Sequence, residues 1–441
     1  MRKTLLATSA LVAAIAFAGA ASAQVQNNGS PVGSNLVLNN VNVGATLNGS
    51  SQAVGNALNA SGATNVNLFN GVGQGQKNTG SIAALVDVSN SYVAGASDIA
   101  SMAVANSLSV DVGGTTNLVG SLQPHETRQS NTGAITALTD ISGSTFSQDL
   151  AASSTAVGNS TSVTGAFTTI GDVSNQFIQS NNASISSELE ISNTAIGAHG
   201  LNYALTGGAT SVANNIVLGS ANGASNPTQI AEGSVRATVD LDGVSMRGNG
   251  NDLTAQAVGN ALTVTGTSNI YVMQYGSAPI TSDLDIDDSF AANGEFNSQA
   301  VMNMINLDGG RFAQSTGVGQ VITADLDVNN SIFGGLSEFN STAIGNIANV
   351  NNGGAMNQTV NFYGSINASA DLRGVSAAST EVNATAAGNV MNLTGSFASA
   401  NQNITGTGQT LNSSVGVLNS NFTGALTAAA TSIGNSLTIK P

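Results

Sequence analysis

The chain has no cysteine and no tryptophan, and its 441 residues include only five prolines, five tyrosines and 13 phenylalanines. Without thiols, neither disulfides nor thiolate metal centres can hold it together, so its stability must come from backbone pairing and packing. Aromatic residues make up 4% of the chain, too few for the two aromatic girdles of an outer-membrane β-barrel, the main rival architecture. Charged residues are 7% of the total. Because Val, Ile, Leu and Ala are spread evenly among abundant Gly, Ser, Thr and Asn, the composition differs from that of a disordered tail, which carries more charge and proline. Positive charge is scarcest, with nine Lys and Arg against 24 Asp and Glu. Such a surface repels nucleic acid and anionic lipid, which are excluded as partners. The only histidines are His125, in a locally charged, proline-bearing stretch, and His199. Neither stands near a nucleophile-elbow pattern, so no enzyme is expected and no catalytic, cofactor-binding or metal-ligating residue is assigned.

Long apolar runs are also missing, apart from one at the start. Residues 1–23 read as a secretory signal peptide, with Arg2 and Lys3 before an apolar stretch and Ala21-Ser22-Ala23 as a small-residue cleavage site. That stretch is too short to span a bilayer, and no later segment reaches 18 uninterrupted apolar residues. Loss of the leader leaves 441 − 23 = 418 residues and 9 − 2 = 7 basic groups, hence a net charge of 7 − 24 = −17. A single core would be unusually large at that length, whereas a one-dimensional stack grows without limit.

What the chain does have is a recurring phrase. It stands at Ala53-Val54-Gly55-Asn56, Ala156-Val157-Gly158-Asn159, Ala257-Val258-Gly259-Asn260 and Ala343-Ile344-Gly345-Asn346. Degenerate copies begin at Ala103, Ala195, Ala300, Ala386 and Ser432, giving nine copies with spacings of 50, 53, 39, 62, 43, 43, 43 and 46. A period of this size belongs to solenoids, propellers and arrays. The chain divides into a lead-in over residues 24–50, degenerate repeats over 51–255 and regular repeats over 256–441. Within the unit starting at Ala300, strands are expected over 300–307, 311–315 and 321–328, with turns at Asp308-Gly309-Gly310 and Asn329-Asn330. Glycines at 276, 319, 364 and 408 are expected at corners. In the third strand Ala324, Leu326 and Val328 share one face and Thr323, Asp325 and Asp327 the other, as a half-buried strand requires. Helix signals are poor. The expected fold is therefore an all-β, elongated β-solenoid of about nine repeats of roughly 43 residues, each unit dividing into two coils of 21 or 22, so that some 19 coils form a rod on the order of 90 Å long.

Two sets of polar residues recur with the unit. The repeat Asn, and Gln179, Gln274, Gln314, Gln358 and Gln402 later in the unit, are expected to form stacked amide ladders rather than to contact a ligand. Asp87, Asp140, Asp240-Leu241-Asp242, Asp283-Leu284-Asp285, Asp325-Leu326-Asp327 and Asp371-Leu372-Arg373 fall 15 to 18 residues before the next copy. Stacked, they form an acidic stripe that either faces water with spacer coils between its carboxylates or recruits a hard cation such as Ca²⁺. No complete calcium-loop motif is present.

The repeated Ser/Gln-x-Ala-Val-Gly-Asn with a later Gln resembles curlin-type repeats of secreted bacterial amyloid subunits, and more broadly the β-strand-repeat surface proteins of alphaproteobacteria, among them holdfast attachment proteins. In this chain Gly55 and Gly259 follow Gln52 and Gln256 at three residues and Asn56 and Asn260 at four, a spacing that departs from the curlin pattern. The resemblance implies an exported structural or adhesive protein on the extracellular or outer-membrane-associated surface of a Gram-negative-type bacterium. It also implies self-association, contact with surface polysaccharide, and a separate outer-membrane secretion pore. The alternative from another class is a calcium-stabilised polysaccharide-binding module.

Overall fold

The computed structural model describes residues 25–440 except 63–64, 70–74, 119–126, 172–175, 198–202, 220, 267, 318, 362–363 and 407–409. The leader, His125, His199 and the glycine at 408 lie outside the described residues. Those described form strands and connecting turns, with no helix. Every pairing between strands is parallel, joining a residue to its counterpart one unit away, as in Ala257↔Ala300↔Ala343. Outer-membrane barrels close antiparallel strands, so this pairing excludes that rival.

One coil shows the four strands common to the stack. Its first strand is Pro227–Ala231, its second Val235–Asp242, its third the two residues Ser245–Met246, and its fourth Asn251–Val264. To these the first three coils add a fifth, Val66–Leu68, Thr115–Leu118 and Phe167–Ile170, in a sheet of its own. The second strands of successive coils make one nine-stranded sheet from Val32–Asn39 to Thr410–Leu418. Each repeat is therefore a single wide coil. The expected split into two coils fails because the fourth strand alone consumes 14 to 16 residues in the first five coils. Nine rungs stand roughly 40 Å tall at about 4.8 Å per rung, which replaces the 90 Å expectation. Residues 25–50 are no lead-in, since they supply the strands Val25–Asn28, Val32–Asn39 and Asn42–Val43 of the first coil.

Two local expectations also change. Ala195-Ile196 pairs with Thr145-Phe146 and Ser245-Met246, so it is a third strand. The fourth coil's copy is instead Ser211-Val212-Ala213-Asn214, in register with Ala156 to Asn159 and Ala257 to Asn260. The spacings become 50, 53, 55, 46, 43, 43, 43 and 46. Gly197 holds a φ of 76°, a conformation that a residue without a Cβ adopts free of strain. Asp308-Gly309-Gly310 makes no break either: the strand Gly294–Thr316 runs through it, bent where Gly309 and Gly310 take φ of 94° and 102°.

The turn after the second strand is a left-handed corner in all nine coils. Asn40, Asn90, Gly143, Asn193, Gly243, Asp288, Asn330, Gly374 and Asn419 hold φ between 47° and 66°, a region open to Gly and tolerated by Asn and Asp. The glycine of the repeat has a different task. Along Asn251–Val264 the inward residues are Asn251, Leu253, Ala255 and Ala257, then Asn260, Leu262 and Val264. Alternation thus shifts phase at Gly259, which has no partner in the register between Val258↔Val301 and Asn260↔Asn303. This is a bulge repeated in every coil. A Cβ added there would lie 2.6 Å from the Met302 carbonyl oxygen, so the following coil would have to shift to admit it; in three other coils Ala105, Ala213 and Met302 stand at this position.

The bulge bends the fourth strand and divides the interior into two lobes. One core, with Ile135, Leu189, Leu284 and Phe339, lies between the second, third and early fourth strands. The other, with Leu108, Ile216, Leu262 and Phe312, lies beyond the bulge. Each inward Leu, Ile or Phe contributes about 1.5–3 kcal/mol of burial.

Candidate functional site: polar columns and two open faces

Between the lobes the fourth strand faces the first strand of the next stretch of chain, and amide side chains bridge them. Asn260 donates Nδ2–H to the Tyr275 carbonyl at 2.9 Å, and Gln274 donates Nε2–H to the Met304 carbonyl at 3.0 Å. The same amides bond along the stack. Asn56 Nδ2 donates to Asn106 Oδ1 at 2.8 Å, and the chain of bonds continues through Asn159, Asn214, Asn260, Asn303, Asn346 and Asn389 to Asn435, every step 2.7 or 2.8 Å. A glutamine column, Gln26, Gln76, Gln129, Gln179, Gln229, Gln274, Gln314, Gln358 and Gln402, runs beside it at 2.6–3.0 Å. The expected ladders are thus present, extended by Gln26, Gln76, Gln129 and Gln229. Their polarities oppose: each Asn donates toward the C-terminal coil, each Gln toward the N-terminal one.

The acidic stripe lies on the outer side of the nine-stranded sheet. Register places Asp87, Asp140, Glu190, Asp240, Asp285, Asp327 and Asp371 in one line on seven consecutive rungs. No spacer coil separates them. The sequence pattern missed Glu190 and mispaired the Asp-Leu-Asp motifs, which slip by two residues: Asp240 stands beside Asp285, and Asp283 beside Thr238. Glu188, Asp283, Asp325, Asp242 and Asp287 flank the line. Burial, then neighbouring carboxylates, pushes Asp140, Glu190 and Asp240 above the ordinary carboxylate range. Asp285 is pushed up to about 7, by burial and then by Asp283 and Asp327. Asp327 reaches about 6, by burial, Asp325 and Asp371, against the pull of Arg373. Arg236 meets Asp283 at 3.4 Å and Arg373 meets Asp371 at 3.1 Å, both partly in water and worth little. A line of carboxylates is not a converging cage. Among the described residues no group of three or more His, Asp or Glu is placed to hold a metal ion.

The ends of the stack differ from its middle. All 24 acidic residues fall between Asp87 and Glu381, residues 24–76 carry no charge, and beyond Glu381 the only charged residue is Lys440. On the acidic line the end rungs are Val37 and Gly416. The outermost strands, among them Val32–Asn39 and Thr410–Leu418, each have one edge unpaired among the described residues. Core residues come close to water there: Val32, Leu36 and Val43 at one end and Leu411, Val415 and Phe422 at the other are only partly buried. Native sheets usually guard such edges with charge, proline or a covering segment. No family model matches the chain, and neither a curated protein nor a solved structure matches it.

Proposed function

We propose that the chain is an exported, non-enzymatic structural subunit that stacks on itself to form or anchor an adhesive fibre or matrix at a bacterial cell surface. The observation that carries this reading is the placement of charge: acidic residues crowd the inner coils, and both terminal coils, whose backbone edges are open among the described residues, have none. The crowded middle keeps stacks soluble and discourages lateral pairing, while ends without carboxylates leave axial stacking unopposed. The leader-like residues 1–23 support export, which calls for a secretion pore in the outer membrane. Contact with surface polysaccharide would use the outward amide columns Asn297–Asn340–Asn383 and Asn306–Asn349–Asn392, whose amides pair with hydroxyls as readily as with each other.

Sedimentation of the chain from Gln24 onward, over a hundredfold range of concentration, tests the reading. Growing oligomers and filaments in electron micrographs are expected. Protein that remains monomeric throughout refutes it.

A further inference from the structure

We infer that stacking is polar: the C-terminal face of one copy docks on the N-terminal face of the next, in a register that continues every column of the solenoid. The inference rests on the self-assembly reading and adds its geometry. The first support is hydrogen-bonding capacity. On the N-terminal face, among the described residues, Asn56 Oδ1 has no donor above it, because the asparagine column donates toward Asn435, and Gln26 Nε2, which already donates to the Ala57 carbonyl, has no glutamine oxygen above it. On the C-terminal face Asn435 Oδ1 accepts from Asn389, while among the described residues its Nδ2 has no acceptor and Gln402 Oε1 has no donor. Laid head to tail, the free Asn435 donor meets the Asn56 acceptor, and the free Gln402 acceptor meets the Gln26 donor. Both columns then run on unbroken.

The second support is charge spacing. In that register the acidic line crosses the junction as Asp371, Gly416, Val37 and Asp87. Carboxylates on either side are three rungs, about 14 Å, apart, beyond the ~8 Å Debye length at physiological salt.

The test uses one variant for each face. Leu411→Lys with Val415→Lys puts ammonium groups among half-buried residues of the last coil, where they reach water only while the C-terminal face is open. Leu36→Lys with Val43→Lys puts ammonium groups among half-buried residues of the first coil, where they reach water only while the N-terminal face is open. Each variant alone should be monomeric at concentrations where the wild type forms filaments, and an equimolar mixture should give 1:1 dimers by sedimentation and native mass spectrometry. Dimers of either variant alone would mean that like faces pair, and would overturn polar stacking while leaving self-assembly standing. Wild-type filaments without mixed dimers would also overturn it, provided both variants retain the wild-type β spectrum. A second pair of variants does not touch the core. Asn35 and Ser414 occupy one outward column and are exposed, so Asn35→Lys with Ser414→Lys should weaken association several-fold and Asn35→Glu with Ser414→Lys should restore it. Equal association of these two proteins refutes the register. Monomeric wild type would sink the self-assembly reading itself.

Discussion

Replacing Asn260 by Asp tests whether the asparagine column is structural. Asn260 is fully buried, and its Nδ2 donates to both Asn303 Oδ1 and the Tyr275 carbonyl at 2.8 and 2.9 Å. An ionised Asp would withdraw both donors and set a carboxylate oxygen against two acceptors. Each abandoned buried acceptor costs about 1–3 kcal/mol, and breaking a buried polar pair so that a charge is left alone costs about 3–5 kcal/mol. A loss of about 3–5 kcal/mol is therefore expected near neutral pH. It should be smaller at pH 4–5, where a protonated carboxyl recovers one donor. Asn435 supplies the control: it stands at the end of the column and accepts from Asn389 without donating onward, so Asn435→Asp should cost less than about 1 kcal/mol. Urea unfolding followed by far-ultraviolet circular dichroism at pH 5 and pH 8 measures both. Equal losses at positions 260 and 435, or unchanged stability in both, would show that the column carries no load.

Asp285 and Asp327 titrate above the ordinary value of 3.8, near 7 and 6, so the native protein retains protons that the unfolded chain has released above about pH 4. Stability should be greatest below that pH and fall as pH rises through 6 to 7, the reverse of ordinary acid denaturation; a melting temperature that rises between pH 5 and pH 8 refutes this. For Asp285 the rise corresponds to at most about 4 kcal/mol, of which about 1–2 kcal/mol survives solvent screening of the half-buried group, so Asp285→Asn should stabilise by that much at pH 8 and by little at pH 4. High salt should shrink the gain at pH 8, as expected for repulsion along a half-exposed line. Gly259→Ala, whose new Cβ meets the Met302 carbonyl, should cost about 1–3 kcal/mol in monomer stability and Gly434→Ala almost nothing; thermal unfolding of dilute protein distinguishes them, and equal costs would contradict the bulge geometry.

The solenoid was legible because its signals are local and periodic. Alternation along residues 321–328 requires a half-buried strand, the Asn and Gln recurrences need only equal spacing to stack, and scarcity of cysteine, aromatics and helix formers removes the alternatives without any coordinates. What stayed hidden depends on which residues the coil brings side by side. A 43-residue period suits one wide coil as well as two narrow ones; only the long fourth strand, bent where Gly259 lies against the Met302 carbonyl of the following coil, selects the wide one. The copy at Ala195 matched the phrase by composition, yet pairing assigns the place to Ser211-Val212-Ala213-Asn214, since register follows backbone bonds over the whole strand and not four side chains. The acidic line was foreseen as a stripe, but its membership, with Glu190 included and the Asp-Leu-Asp motifs slipped by two, follows from the same pairing. The sequence determined which residues were available to stack; the fold decided which neighbours they met, and so which donors, acceptors and open spaces remain on the two faces where the stack ends.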